Sequence, residues 1–138
     1  MKYSKATNYA LHSMVHLAME PDKDAVPVED LAQLQKLSPT YLSKILTKLV
    51  KAGLVQSTPG VNGGYRLLHS PEQVTFLEII QAIEGQEALL SCTMTLNGTA
   101  HHHECLIEKA ITQAEDKMLE VLSQQTIAGI LAQMPIKN

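Results

Sequence analysis

The residues best suited to chemistry are the two cysteines of the chain and a run of three histidines between them. Cys92 and Cys105 account for all the cysteine, and His101, His102 and His103 come shortly before the second one. Thiolate and imidazole groups are the ligands that iron–sulfur clusters and zinc ions take in proteins. Cys105 also lies near the start of a predicted helix, where the positive end of the helix dipole favours the reactive thiolate. These residues therefore predict a metal-binding or redox-active segment.

Three interpretations of this segment stay open. In the first, Cys92, Cys105 and one or two histidines hold an iron–sulfur cluster of the two-iron type. In the second, no cofactor is present and the two thiols act as a redox switch, either as a disulfide or by separate modification. In the third, the cysteines are buried and the histidines are solvated, without a sensing role. Two cysteines with nearby histidines form a weaker metal signature than paired CxxC motifs, so a cluster and no cofactor are equally compatible with the sequence.

A helix predicted over residues 39–52 carries a surface suited to nucleic acid. Ser38 and Pro39 form a helix start signal, and Gly53 can adopt the left-handed backbone conformation that ends a helix. Aliphatic residues at helical spacing predict one buried face. The opposite surface has hydroxyl and ammonium groups without an acid, as phosphates and base edges require. We expect DNA contacts from Ser38, Thr40, Tyr41, Ser43, Lys44, Thr47 and Lys48.

A β-hairpin is predicted directly after this helix. Residues 54–58 and 65–68 have strand-forming patterns, and the proline- and glycine-rich residues 59–64 form the turn between them. Such a hairpin behind a helix-turn-helix is a wing, whose glycines let backbone N–H groups approach phosphates or the minor groove. The wing residues expected to contact DNA are Gly60, Asn62, Gly63, Gly64 and Arg66.

The remaining patterns predict a mainly α-helical protein with this one small hairpin. Apolar residues at helical spacing indicate helices over residues 4–19 and 28–36, with Leu34 among the inward positions of the second. Thr75 begins a capping box that opens another helix. Thr126 caps a last short helix near the end of the chain.

A long helix predicted over residues 103–124 is suited to pairing two copies of the chain. Its apolar residues recur at alternating steps of four and three, which is typical of a coiled-coil seam, and we expect it to pack on its own domain and on a second copy. The predicted interface residues are Ile107, Ile111, Ala114, Met118 and Val121. The expected architecture is a winged helix-turn-helix DNA-binding domain in residues 1–70, followed by a sensor loop and dimerisation helices in residues 71–138.

The composition narrows the class of protein. Eight of the 11 basic residues lie in residues 1–66, and nine of the 14 acidic residues lie in residues 67–138, which indicates a polyanionic partner for the first half only. No apolar run is long enough to span a bilayer, and the first residues show no export signal, so we expect a cytoplasmic protein without a membrane partner. No catalytic motif of recognisable spacing is present, so an enzyme is not expected.

The elements and their order resemble the Rrf2-type family of bacterial winged-helix regulators, which includes IscR, NsrR and CymR. The matching stretches are residues 9–11, 37–42, 52–55, 60–67, 77–80 and 84–85. The resemblance implies a homodimeric transcriptional repressor on a partly palindromic operator of double-stranded DNA. Such proteins often have an arginine just before the first wing glycine, whereas this chain has Pro59, which puts minor-groove reading by that side chain in doubt.

The resemblance also bears on the metal-binding segment. Cluster-binding members have three cysteines there, and this chain lacks the middle one. Some relatives complete the cluster with a residue from the first helix of the partner, and Asn8 and His12 lie at about that place, of which only the imidazole is a good ligand. The implied function is transcriptional regulation that responds to redox state, nitric oxide or iron–sulfur status through Cys92 and Cys105. The alternative is a winged-helix module that binds protein, has no sensor function and associates independently of salt.

Overall fold

The computed structural model describes residues 2–90 and 105–135, which form a helical body with one two-stranded sheet. The elements in chain order are α1 (Lys5–Ala18), α2 (Val28–Gln35), α3 (Pro39–Lys51), β1 (Val55–Thr58), β2 (Gly64–Leu67), a short 3-10 helix (Pro71–Gln73), α4 (Phe76–Glu84), α5 (Leu106–Gln124) and α6 (Ile127–Gln133). This order is the predicted winged helix-turn-helix followed by a long C-terminal helix. Within the described ranges, no helix combines the length and the apolar character that a bilayer crossing needs.

The turn of the helix-turn-helix joins α2 to α3 through one residue in a left-handed conformation. Lys36 has φ 57° and ψ 47°, and the Leu37 amide after it donates to the Ala32 carbonyl at 2.9 Å. This bond satisfies one of the last carbonyls of α2 and ends the helix. The hydroxyl of Ser38 then accepts a hydrogen bond from the Tyr41 amide at 3.1 Å, which confirms the predicted N-cap of α3.

One buried face and two capped ends fix α3 in place. Gly53 has φ 76°, and the amides of Gly53 and Leu54 donate to the carbonyls of Val50 and Leu49, each at 3.0 Å. These two bonds form the predicted glycine-ended cap. The buried side chains of the helix are Leu42, Ile45, Leu46 and Leu49. Because they anchor α3 in the core, the polar side chains on the other face are held at the surface.

The wing is fastened to the body through a residue that precedes α2. β1 and β2 pair antiparallel along their whole length. Val26 bridges to Tyr65 of β2 through two backbone hydrogen bonds, 2.8 Å from the Val26 amide to the Tyr65 carbonyl and 2.9 Å in the reverse direction. A Cβ on Gly64 would lie 2.2 Å from the Val26 carbonyl oxygen. Glycine is therefore required at this position for the close approach.

The core is aliphatic and is built by residues from both halves of the chain. Met14 of α1, Ile79 of α4 and Ile127 of α6 belong to one buried cluster. The division of the chain into two domains at residue 70 stays a prediction.

The sequence predicts that Leu34 points inward, but its side chain is 62% exposed. The reason is geometric, since Leu34 lies roughly 110° around α2 from the midpoint between its buried positions 31 and 32.

Helices α1 and α4 are joined by a carboxylate at the end of α4. One oxygen of Glu84 accepts hydrogen bonds from the Ser4 amide (2.8 Å), the Ser4 hydroxyl (3.0 Å) and the Thr7 hydroxyl (2.5 Å). The Thr7 hydrogen bond is the main cause that lowers the pKa of Glu84, and the Ser4 bonds and the positive charge of Lys48 lower it further against the opposing effect of burial. The negative charge also suits the N-terminus of α1, where the backbone amides point outward.

The Glu84 contact predicts an acid-sensitive contribution to stability. The pKa of the folded state lies below the ordinary value of 4.5, so the stabilisation is complete above that pH and is lost as the pH falls through the lower folded value. We expect the free energy of unfolding, measured by urea denaturation between about pH 6 and pH 2, to fall less steeply with acid in Glu84→Gln than in the parent. Glu72→Gln, which removes an exposed carboxylate elsewhere, serves as the control. Parallel curves for the parent and Glu84→Gln would show that this carboxylate does not contribute.

Candidate nucleic-acid interface

The exposed face of α3 carries cations and hydroxyl groups, and the helix contains no acidic residue. Ser38 at the cap is exposed and Ser43 is half-buried. Among the residues that the structure describes, no carboxylate forms an ion pair with Lys44. The other exposed polar residues of this face are Thr40, Tyr41, Thr47, Lys48 and Lys51. The predicted DNA-contacting residues of α3 are thus brought together on one side of the helix.

Two contacts orient particular side chains on this face. The ring of Tyr41 stands edge-on to the ring of Tyr9 in α1, with centroids 6.0 Å apart and planes at 87°. This T-shaped contact holds the aromatic ring at the N-terminal end of α3. The Thr47 hydroxyl donates to the Ser43 carbonyl at 2.8 Å, so its remaining hydrogen-bonding capacity is that of an acceptor. An acceptor suits the amino groups that adenine and cytosine present in the major groove.

Lys44 and Lys48 differ in their electrostatic surroundings. Lys48 is close enough to Glu84 for its charge to contribute to the lowered pKa of that carboxyl group, whose main cause is the Thr7 hydrogen bond. The negative charge of Glu84 therefore offsets part of the positive charge of Lys48 within the protein. Both side chains are exposed on α3, but Lys44 is the more available cation for a phosphate group.

The wing presents a polar edge and an apolar tip. Arg66 is exposed, and its Nε donates to the side-chain oxygen of Gln56 on the neighbouring strand at 3.0 Å. At the tip, Asn62 is exposed and Val61 is fully exposed at 102%. The sequence analysis did not predict that Val61 and Gln56 contribute to the exposed surface of the wing. Val61 could have been found as an apolar residue at the tip of a polar hairpin. Gln56 could not, because its pairing with Arg66 depends on the register of the two strands.

The glycines of the wing have different roles. Gly60 is exposed, with φ 101°. Gly63 is buried, and a Cβ there would lie 2.0 Å from the carbonyl oxygen of Thr58. Gly64 is half-buried against Val26. Gly63 is thus required for the shape of the turn and Gly64 for the close approach to Val26, and direct DNA contact by either glycine stays a prediction.

The predicted sensor residues are described only in part. Cys105 caps α5, is half-buried, and its Sγ accepts a hydrogen bond from the Glu108 amide at 3.5 Å, which confirms its predicted place at a helix start. His12 is exposed on α1, and its Nδ1 lies 2.8 Å from the Asn8 carbonyl oxygen. Within residues 2–90 and 105–135, no three histidine, cysteine or acidic side chains form a group that could hold a metal ion. The other predicted ligands, Cys92, His101, His102 and His103, lie outside the described residues.

The long helix α5 presents an apolar stripe away from the described part of its own chain. None of its 19 residues is buried. Leu106, Ile107 and Val121 are 63%, 59% and 55% exposed, and Ile111 is 39% exposed. Met118 is half-buried, and the Tyr3 hydroxyl lies 3.9 Å from its sulfur atom. The predicted interface residues therefore share one open face, with Met118 at the edge that contacts the body.

Comparison with known proteins matches nearly all of the chain to one family. The Rrf2 family, described as an iron-dependent transcriptional regulator, matches residues 3–133. The protein rrf2 of Nitratidesulfovibrio vulgaris is 30% identical over 131 residues, which cover 95% of this chain and 87% of that protein. The HTH-type transcriptional regulator NsrR of Bacillus licheniformis is 30% identical over 135 residues, covering 95% and 92%.

Solved structures of regulators share the fold. CymR, the global cysteine regulator of B. subtilis, superposes with a TM-score of 0.80 at 27% identity over 98% of this chain and 99% of that one. IscR of T. potens superposes with a TM-score of 0.76 at 27% identity over 99% and 94%. These relatives are regulators of transcription and not enzymes, in agreement with the prediction. The chain belongs to the Rrf2 family of transcriptional regulators.

Proposed function

We propose that the chain is a cytoplasmic repressor that binds a partly palindromic operator as a homodimer. The observation that carries this proposal is the acid-free face of α3 beside a wing fixed to the same body. In this proposal Lys44, Lys48 and Arg66 contact phosphates, while Tyr41 and Thr47 read base edges. Two such helices in a dimer enter successive major grooves about 34 Å apart.

The individual contacts of α3 support this division of roles. A lysine without a carboxylate partner gains most from a phosphate, because no internal ion pair is lost on binding. The acceptor on Thr47 and the fixed ring of Tyr41 can discriminate between bases, since they present a defined acceptor and an apolar surface. Ser43 is half-buried and lies at the margin of the contact surface. Thr40 and the Ser38 cap lie at the end of α3 where helix N-termini meet phosphates.

Replacement of Lys44 by glutamine tests this interface. We expect Lys44→Gln to weaken operator binding, and the plot of log affinity against log salt to become shallower by about 0.9 for each lost phosphate contact. Fluorescence anisotropy on the DNA upstream of the chain's own gene, over a series of salt concentrations, measures both quantities. Lys117→Gln, an exposed lysine on α5, is the matched control and should leave both unchanged. Salt-independent association with protein and none with DNA would instead support the protein-binding module.

The homodimer is proposed from the exposed stripe of α5. An apolar stripe on a helix without a buried residue is stable in water only when a partner covers it. The alternating steps of four and three residues fit the same stripe of a second copy, because equivalent seams on two helices pack by inserting side chains into each other's gaps. Ile107, Ile111, Ala114 and Val121 form the contact, and Met118 links it to the body.

A charge placed in the stripe should separate the two copies. We expect Ile111→Glu to shift the sedimentation behaviour from dimer to monomer and to weaken operator binding, since the two α3 helices are then no longer linked. Thr112→Glu places the same charge on the neighbouring exposed position of α5 and should leave the dimer intact. A parent protein that sediments as a monomer, or an Ile111→Glu variant that stays dimeric, would contradict this interface.

We also propose that Cys92 and Cys105 form the element that senses redox state, nitric oxide or iron–sulfur status. The description of the family as iron-dependent supports this role, as does the position of Cys105. Its Sγ caps α5, and α5 packs on α4, which in turn packs on α3. In this proposal, a change of bonding at Sγ alters the start of α5 and, through α4, the position of α3. His12 on α1, or one of His101, His102 and His103, would supply imidazole ligands for a two-iron cluster.

Loss of Cys105 should abolish the response to the signal. We expect the operator affinity of the parent to change on exposure to oxidant or nitric oxide, and that of Cys105→Ser to stay constant, since serine keeps a helix cap but removes the thiol. His69→Gln is the control. An absorption spectrum and iron assay of anaerobically purified protein then distinguish a coloured cluster from a metal-free thiol switch. A colourless, iron-free protein whose affinity ignores the signal would remove the sensor.

A further inference from the structure

Two histidines of α1 occupy positions that favour joint binding of a metal ion. His12 and His16 are four residues apart in one continuous helix, Lys5–Ala18. Residues at this spacing lie on the same face, with their Cβ atoms about 5–6 Å apart. His12 is exposed and His16 is half-buried, so both rings are at or near the surface. This geometry is the one in which two imidazoles can bind a single ion.

The hydrogen bond of His12 fixes which of its nitrogen atoms is available. Its Nδ1 lies 2.8 Å from the Asn8 carbonyl oxygen. A carbonyl oxygen only accepts hydrogen bonds, so Nδ1 must carry the proton. In the neutral ring, the lone pair is then on Nε2. Metal-binding histidines in proteins are typically held by such a bond from the other nitrogen to a backbone carbonyl.

His16 supplies the second ring. Its burial lowers its pKa, and the nearby His12 lowers it further. The neutral imidazole is the form that binds a metal ion. No third histidine, cysteine or acidic side chain of the described residues completes the group.

We propose that His12 and His16 form a two-histidine binding site for a divalent transition-metal ion of the zinc, nickel and copper class. Imidazole is a preferred ligand of these ions, whereas magnesium and calcium prefer the oxygen ligands that this pair lacks. Water molecules fill the other coordination positions. The site uses no cysteine and a single chain, so it does not depend on the proposed sensor. A cluster bound through Nε2 of His12 and this site would exclude each other.

A zinc titration followed by NMR of the imidazole nitrogens tests the proposal residue by residue. The protein is the full chain, freed of metal by a chelator, in a background in which other strong ligands are removed by Cys92→Ser, Cys105→Ser, His101→Gln, His102→Gln and His103→Gln. We expect Zn²⁺ to shift the Nε2 signal of His12 and a ring-nitrogen signal of His16 together, with one common midpoint. Before zinc is added, the proton of His12 should be found on Nδ1.

Three variants separate joint binding from binding by single rings. His16→Gln should weaken zinc binding by about tenfold or more, as expected when part of a metal site is lost. Adding Asn8→His to His16→Gln restores a pair one turn apart and should restore affinity. His69→Gln should have no effect. The proposal is overturned if zinc shifts neither ring, or if His16→Gln leaves the zinc affinity of His12 unchanged.

Discussion

The two backbone hydrogen bonds between Val26 and Tyr65 are the constraint on which the arrangement of the proposed DNA-contacting surface depends. They join the two-stranded wing to the segment that leads into α2 through a single-residue bridge. The bonds require the backbones to approach closely, which only glycine at position 64 permits. A free two-stranded hairpin is only marginally stable in water, so this junction and the burial of Val55 in the core together fix the direction of the wing relative to α3.

The rest of the surface follows from the way in which α3 is held. Its aliphatic face is buried and both of its ends are capped, so its lysines and hydroxyl groups stay exposed on one side. Glu84 links the start of α1 to the end of α4 and also acts on Lys48 of α3. Helix α4 contacts α1, α3 and α5. It therefore connects α5, which Cys105 caps, with α3.

The sequence predicted the features that depend on neighbouring residues, and it did not predict those that depend on distant ones. The caps at Ser38, Gly53 and Thr75 were visible because each acts within one helical turn. The inward direction of Leu34 was predicted wrongly, since a helix as short as α2 has too few apolar residues to define its buried face. The bridge from Val26 to the wing joins residues far apart in the chain, and no local pattern indicates it. Likewise, the partners of Glu84 could not be predicted before α1 and α4 were placed together.

Hydroxyl-radical footprinting of the DNA upstream of the chain's own gene tests most directly whether α3 and the wing meet the same duplex. Each protomer should protect two separate stretches of the sugar–phosphate backbone, one beside the major groove that holds α3 and one beneath the wing. The pattern should repeat after about 34 Å. In Gly64→Ala, the stretch beneath the wing should lose its protection while the other is kept. Protection of one stretch only, or an identical footprint for Gly64→Ala, would contradict the joint placement of helix and wing.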